Sequence, residues 1–318
     1  MRDPLLGKDE VGRIILRAAK RHAGFSFVRL GDSEGALLLY DPKTATEEDY
    51  KYFRWMFGPD VNPDMLVQLA RRLSEALSTA DLVGNRDDVW YADSSARHLK
   101  LEDPDFTNRF RKSLKLREVE RSLEDHAVRR LFGLHRWSLA HTRHGTPLCS
   151  SWVAYDLALQ HFWERLIARH KSVTLIHCSP TLPDRLRQVL GVEVRHIRIP
   201  DMAVHRDRWP DDDGTEAIYP DSFDRVHKVI DVPQHGRLVL IGAGIPGKAY
   251  AATIKRQGGI ALDLGGLLDA WDGRGTRPLV YATKTPAQEP SRGHEPYMLQ
   301  RPSRLPDWMR HLSQRFHR

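Results

Sequence analysis

Apolar residues recur along the chain with two periods, and the change between them predicts the order of helices and strands. Residues 10–22 and 63–80 place apolar side chains every three or four positions, as helices with one buried face do. Residues 25–31 and 81–85 are short apolar runs that end at glycine or asparagine, which favours buried strands. Residues 100–170 are mostly helical in character.

From Lys171 onward, strand and helix patterns alternate regularly. This alternation is typical of an α/β fold, in which a mostly parallel sheet has helices on both faces. We predict one α/β domain over residues 1–283 with a helical insertion in its middle, followed by an irregular tail over residues 284–318. The strand patterns are SVTLIHC, VEVRHIRIP, RLVLIG and GIALDLG, and the helix patterns between them are LPDRLRQVLG, SFDRVHKVI and PGKAYAATIKRQG.

The composition is that of a globular protein, with 41% hydrophobic and 29% charged residues among 318. The net charge of +7 favours an acidic partner, but basic residues are spread among acids, which argues against a nucleic-acid-binding face. Two cysteines allow no disulfide framework and predict a cytoplasmic setting. No run approaches the roughly 18 apolar residues of a transmembrane helix, and contact with a membrane surface stays open.

The segment FSFVRLGDSEGALLLY carries charged residues inside an apolar run. If its strand continues to residue 34, Asp32 and Glu34 point to the same side and repel each other. A hard cation such as Mg²⁺ or Mn²⁺ relieves that repulsion, and Gly31 would let a diphosphate approach the backbone. The alternative is that Asp32 caps a helix and Glu34 is an acid of its first turn. For Arg29, near a strand end, the alternative is a structural ion-pair partner.

A second segment, residues 237–266, contains a glycine-rich turn between a strand and a helix. Gly242, Gly244 and Gly247 satisfy the G-x-G-x-x-G pattern, and Asp263 follows Gly242 by 21 residues at the end of the next strand. The spacing also fits a P-loop, but Ala249 replaces the hydroxyl residue that would hold Mg²⁺. In either interpretation the turn, a helix N-terminus and the neighbouring Lys248 attract phosphate. The alternative is a tight turn that only permits close packing.

These two segments together resemble the GT-D glycosyltransferases, a bacterial family formerly called a domain of unknown function. VRLGDSEG is similar to the family's Arg-Phe-Gly-Asp-Gly-Glu motif, and IGAGIPGKAYAATIKRQGGIALDLG is similar to its C-terminal glycine turn, helix and strand. The resemblance implies a Rossmann-like fold and transfer of a sugar from a nucleotide-diphosphate donor, most simply a UDP-sugar, to a glycan or glycoconjugate acceptor.

The resemblance also implies roles for individual residues. Asp32 and Glu34 would bind Mn²⁺ or Mg²⁺, and Arg29 or Lys248 would stabilise the leaving group. The donor would lie against a set of residues from both segments: Arg29, Gly31, Gly242, Gly244, Lys248 and Asp263. The competing hypothesis is a Rossmann-type enzyme that binds NAD(P) or S-adenosylmethionine at GAGIPG.

Overall fold

The computed structural model describes residues 5–114, 124–141, 145–203, 205, 215–231, 235–274 and 297–300. All strands of this part of the chain belong to one sheet, and all neighbouring strands are parallel. The seven strands are β1 Phe25–Arg29, β2 Leu82–Asn85, β3 Leu148–Ser150, β4 Ser172–His177, β5 Glu193–Arg198, β6 Leu238–Gly242 and β7 Ile260–Asp263.

Helices occupy most of the segments between the strands. Two of them begin at side-chain caps, since Thr46 accepts a hydrogen bond from the Asp49 amide and Asn62 accepts one from the Met65 amide. The helices are α1 Lys8–Arg21, α2 Asp32–Leu39, α3 Glu47–Phe57, α4 Pro63–Thr79, α5 Asp87–Trp90, α6 Phe106–Ser113, α7 Asp125–His141, α8 Val153–Ala158, α9 Phe162–His170, α10 Leu182–Leu190, α11 Phe223–Val229, α12 Pro246–Arg256 and α13 Gly266–Trp271.

The strand order is β3-β2-β1-β7-β6-β4-β5. The first and last strands of the described chain therefore lie side by side, with Phe25 opposite Ile260 and Phe27 opposite Leu262. Through this pairing, the N-terminal and C-terminal strands form one continuous sheet. It also brings the segment after β1 next to the segment after β7.

Each face of the sheet has its own apolar core. Val28 and Ile241 point into a core closed by α2, α3, α4, α6, α7, α11 and α12, whereas Phe27 and Leu240 point into a core closed by α1, α8, α9, α10 and α13. Neighbouring residues of one strand thus lie in opposite cores, because strand side chains alternate between faces. The α/β fold with helices on both faces is confirmed, and its Rossmann-like architecture with it.

The chain changes direction across the sheet between β4 and β6. From β4 it passes through α10 to the edge strand β5, and from β6 it passes through α12 to β7 on the other side. α10 and α12 consequently cover opposite faces. Such a point opens a crevice at the carboxyl ends of the two strands, where α/β proteins commonly bind ligands.

Some sequence expectations need correction or lie outside the described residues. β3 falls within the region that we expected to be mostly helical, because a three-residue edge strand carries too short a pattern to recognise. Most of the tail over 284–318 is outside the described residues, and the single-domain boundary at residue 283 stays a prediction. No helix in the described ranges is long and apolar enough to cross a membrane.

Candidate functional site

A cavity of about 390 Å³ opens at the carboxyl edge of the sheet. It extends over the ends of β1, β7, β6 and β4, and both segments singled out from the sequence line it. Gly31, Asp32 and Glu34 come from the first segment, and Gly242 and Gly244 come from the second. Tertiary structure thus brings together two motifs that lie at opposite ends of the described chain. We name this the edge cavity.

The turn after β1 corrects the expected strand geometry. β1 ends at Arg29, and α2 begins at Asp32, so the two carboxylates are not alternate residues of one extended strand. The alternative, in which a helix begins here, is closer to the structure. Its N-cap residue, however, is Gly31 and not the expected Asp32. Glu34 reaches back, and its Oε2 accepts a hydrogen bond of 2.8 Å from the amide of Gly31. A third-position glutamate satisfies the helix N-terminus in this way because that amide has no partner within the helix.

Three charged side chains form a buried ion cluster beneath the cavity. The Nζ of Lys248 lies 2.6 Å from Oε1 of Glu34 and 3.1 Å from Oδ2 of Asp263, and it donates to the carbonyl of Gly244 at 3.0 Å. Lys248 and Glu34 are each 4% exposed, and Asp263 is 2% exposed. Burial by itself lowers the pKa of Lys248, but the two carboxylates outweigh it and the pKa is raised. The lysine is therefore charged, and all three of its N–H groups are engaged.

This cluster does not fit a metal ion held jointly by Asp32 and Glu34. One oxygen of Glu34 faces the ammonium of Lys248 and the other faces the Gly31 amide. Asp32 pairs elsewhere, with its Oδ2 lying 3.3 Å from a guanidinium nitrogen of Arg130. Its side chain is 36% exposed, so it alone of the pair presents a carboxylate to the cavity.

Arg29 is occupied by backbone carbonyls. Its guanidinium donates to the carbonyls of Asp263 at 2.9 Å, Ser151 at 3.2 Å and Leu264 at 2.5 Å. Its own backbone amide donates to the Asp263 carboxylate. These bonds fix the end of β1 to the end of β7. Arg29 thus has a positioning role, which is closer to the structural alternative than to contact with a leaving group. The leaving-group role stays a prediction.

The glycine turn presents backbone donors to the cavity. Gly244 has φ +55°, a conformation that side chains disfavour, and a Cβ built there meets no atom within 4 Å. Gly242 packs so closely on the ring of His177 that a Cβ would lie 2.5 Å from it. Within the described chain, the amides of Gly244 and Ile245 donate no hydrogen bond. Together with α12, they form a helix N-terminus directed at the cavity.

A second helix N-terminus lies on the same cavity. The first turn of α2 contributes Asp32, Ser33 and Glu34 to the lining, and the amide of Ser33 finds no acceptor among the described residues. Two helices thus direct free N–H groups and the positive ends of their dipoles into one space. This arrangement attracts an anion such as a phosphate group.

Sequence reasoning missed a polar cluster on the β4 side of the cavity. His177, Cys178 and Asp269 place their ligand atoms within 4.8 Å of one another. The Nε2 of His177 lies 3.4 Å from Asp269, which also pairs with Arg274 at 2.9 Å. Burial, then Asp201 and Asp269, raise the pKa of the Cys178 thiol, so it is not a ready nucleophile. The signal in the sequence was that the predicted strand SVTLIHC, which is β4, ends at His177. The structure places that end beside the glycine-bearing end of β6.

Comparison with known proteins gives one structural likeness. The chain resembles a solved structure described as the selenomethionine-substituted structure of domain of unknown function 1792, with 15% identity and a TM-score of 0.44, over 96% of this chain and 98% of the other. No protein-family model and no curated protein matches the chain. At this level of similarity, function has to be inferred from the site itself.

Proposed function

We propose that the chain is a glycosyltransferase that moves a sugar from a nucleoside-diphosphate donor to a glycan or glycoconjugate acceptor. The observation that carries this proposal is that two helix N-termini, one after β1 and one after β6, present unpaired amides to one cavity at the carboxyl edge of the sheet. A diphosphate offers acceptor oxygens to both. The strand order reverses between β4 and β6, the kind of point at which α/β folds commonly bind nucleotides.

The arrangement suits the charge that develops during transfer. The bond between the anomeric carbon and the β-phosphate oxygen breaks, and its electron pair goes to the diphosphate. Fixed N–H groups such as those of Gly244 and Ser33 stabilise that charge without reorganising. The acceptor hydroxyl forms the new bond and loses its proton. Among the carboxylates that line the cavity, Asp32 is the most exposed and thus the best placed to take it.

The binding of NAD(P) or S-adenosylmethionine is the competing hypothesis, and one observation disfavours it. A dinucleotide-binding fold uses the acid after the second strand to bind a ribose hydroxyl. Here Asp263 is buried, and its Oδ2 already accepts from the backbone of Arg29 and faces Lys248. A ribose hydroxyl at Asp263 would have to share this carboxylate with Lys248 and the Arg29 amide.

Thermal shift with a ligand panel tests the proposal. UDP, GDP, dTDP, NAD⁺, NADH and S-adenosylmethionine are each added to the full chain, and at least one nucleoside diphosphate should raise the melting temperature. A ligand at about 100 times its dissociation constant stabilises by about 2.7 kcal/mol. Repeating the titration in MnCl₂ and in EDTA measures the Mn²⁺ or Mg²⁺ dependence that the resemblance predicts. Turnover of the matching nucleotide sugar with a glycan acceptor then tests transfer.

A pair of glycine variants locates the bound nucleotide. Gly244→Ala places a methyl group at the cavity wall, and Gly191→Ala places one at the end of α10, where φ is +66° and no atom lies within 4 Å of the new Cβ. Both variants carry the same kind of backbone strain, so both should lose some stability. Only Gly244→Ala should weaken the nucleotide shift. Stabilisation by NAD(H) or S-adenosylmethionine alone would contradict the proposal.

A further inference from the structure

A second cavity of about 670 Å³ lies beside the first. It is bounded by α2, α3 and α7, and by the loop between α2 and α3. Its volume is within the range of small-molecule binding sites. None of the motifs found in the sequence accounts for it. We name this cavity the α3 groove, and its characteristic residues are Tyr40, Glu48, Lys51, Tyr52, Trp55 and Arg130.

The α3 groove contains an aromatic surface open to solvent. The rings of Tyr52 and Trp55, one turn apart on α3, stack with centroids 6.1 Å apart and an interplanar angle of 16°. Trp55 is 45% exposed, although burying a tryptophan ring normally stabilises a protein. The exposed ring of Trp55, backed by the half-buried ring of Tyr52, offers a surface on which the flat C–H face of a pyranose ring can pack.

The charged residues of the groove are balanced. Its acids are Asp41, Glu48 and Asp49, and its bases, apart from His126, are Lys51, Arg129 and Arg130. Three charges of each sign give no net preference for an anion or a cation. They do provide many hydrogen-bond donors and acceptors around an apolar surface. A neutral, polyhydroxylated ligand matches this combination better than a nucleotide does.

The groove and the edge cavity share a wall. Arg130 stacks over the ring of Tyr52, with its guanidinium carbon 4.1 Å from the centroid, and it also contacts Asp32 at 3.3 Å. On the same wall, the hydroxyls of Ser33 and Tyr52 are 2.8 Å apart. Asp32 and Ser33 line the edge cavity, whereas Tyr52 and Arg130 line the groove. A saccharide in the groove would therefore lie next to Arg130, which contacts the carboxylate proposed to receive the acceptor's proton.

We propose that the α3 groove binds the saccharide part of the acceptor, with a pyranose ring packed on Trp55. This inference rests on the proposed glycosyltransferase function and assigns the acceptor a place in it. The carbohydrate is recognised through its C–H face and hydroxyl groups, so an uncharged saccharide is the expected ligand class. The nucleotide remains in the edge cavity.

Binding to an array of labelled oligosaccharides tests the proposal. The array holds chains of two to six units with gluco, galacto, manno and N-acetylated sugars, and the full chain is applied with and without UDP. At least one saccharide should bind, and Trp55→Ala should weaken binding at least tenfold. Tyr91→Ala is the matched control because Tyr91 is 47% exposed and lines neither cavity. The Tyr91→Ala variant should bind the saccharide as the unchanged protein does.

The outcomes separate this inference from the proposed function. No saccharide binding with or without UDP, or binding that Trp55→Ala leaves within twofold, overturns the groove as an acceptor site. In either case, if UDP stabilises the protein, the proposed transferase function stands although the groove is not its acceptor site. Saccharide binding that depends on Trp55, in a protein that no nucleoside diphosphate stabilises, supports the groove and counts against the transferase. Trp55→Ala should leave the UDP shift unchanged, and a lost shift would contradict the separation of the two sites.

Discussion

Lys248 is the residue on which the floor of the edge cavity depends. Its ammonium group joins Glu34 from α2 and Asp263 from β7, and its own helix α12 begins at the glycine turn. A buried carboxylate without a partner costs several kilocalories per mole, so each member of the cluster needs the others. The sequence marked all three residues as functional. Their contacts show that they also hold the two ends of the fold together.

Replacing Lys248 should therefore destabilise the protein strongly. Lys248→Met leaves Glu34 and Asp263 buried without a cation, and the free energy of unfolding should fall by about 3–5 kcal/mol. Denaturant titration followed by circular dichroism measures the change. The control is Lys255→Met, since Lys255 pairs with Asp81 at 2.7 Å but the two side chains are 27% and 34% exposed. That variant should lose less than about 1 kcal/mol.

A cycle with the partner acids checks the cause of the loss. Glu34→Gln and Asp263→Asn in the Lys248→Met background remove the uncompensated charges, so the triple variant should recover part of the lost stability. If Lys248→Met unfolds at the same denaturant concentration as the unchanged protein, the cluster is not a stabilising element.

At the scale of elements, periodicity predicted most helices and strands of the sheet. The strands from β4 to β7 and the helices α10, α11 and α12 lie within a few residues of their predicted ranges, because each carries a clear apolar pattern. Besides β3, the failure was at the junction of β1 and α2. A strand and the first turn of a helix look alike over residues 29–34, since Gly31 ends one element and starts the other.

Two of the helices carry histidines that should make stability depend on pH. His170 of α9 and His227 of α11 each contact the carbonyl four residues earlier at 2.9 Å, and burial lowers the pKa of both below 6.5. The unfolded chain then binds more protons than the folded one as the pH falls. The stability that they contribute is present above about pH 6.5 and is lost as the pH falls through the folded pKa.

Denaturant midpoints measured between pH 8 and pH 5 check this expectation. The free energy of unfolding should decrease below about pH 6.5, and a His170→Gln, His227→Gln double variant should decrease less over the same range. Equal slopes in the two proteins would show that these histidines are not the cause.

At the scale of the whole molecule, the strand order decides which residues form a site. β1 and β7 are adjacent, β6 and β4 follow, and their carboxyl ends converge on one cavity. Residues from the first forty positions thus share a wall with residues beyond position 240. The α3 groove lies next to this cavity because α2 and α7 pack against each other and carry Asp32 and Arg130.

Hydrogen exchange with and without UDP tests whether the two segments form one site. Peptides covering residues 31–36 and 243–250 should both exchange more slowly when UDP is bound, because free amides of α2 and α12 would be covered by the diphosphate. A peptide from α1, whose helix is on the opposite face of the sheet, should be unchanged and serves as the internal control. Protection of only one of the two segments would contradict a shared diphosphate site.

The sequence by itself determined the fold class and the two motifs, because apolar periodicity and glycine positions are local properties that need no partner. It also marked Asp32, Glu34, Lys248 and Asp263. Only the tertiary structure decided their pairing: Lys248 neutralises Glu34 and Asp263, while Asp32 faces Arg130. Such pairing depends on which strands are neighbours and on which charges are buried together. Spacing along the chain shows neither which strands are neighbours nor which charges are buried together. The α3 groove could not be predicted from the sequence for the same reason.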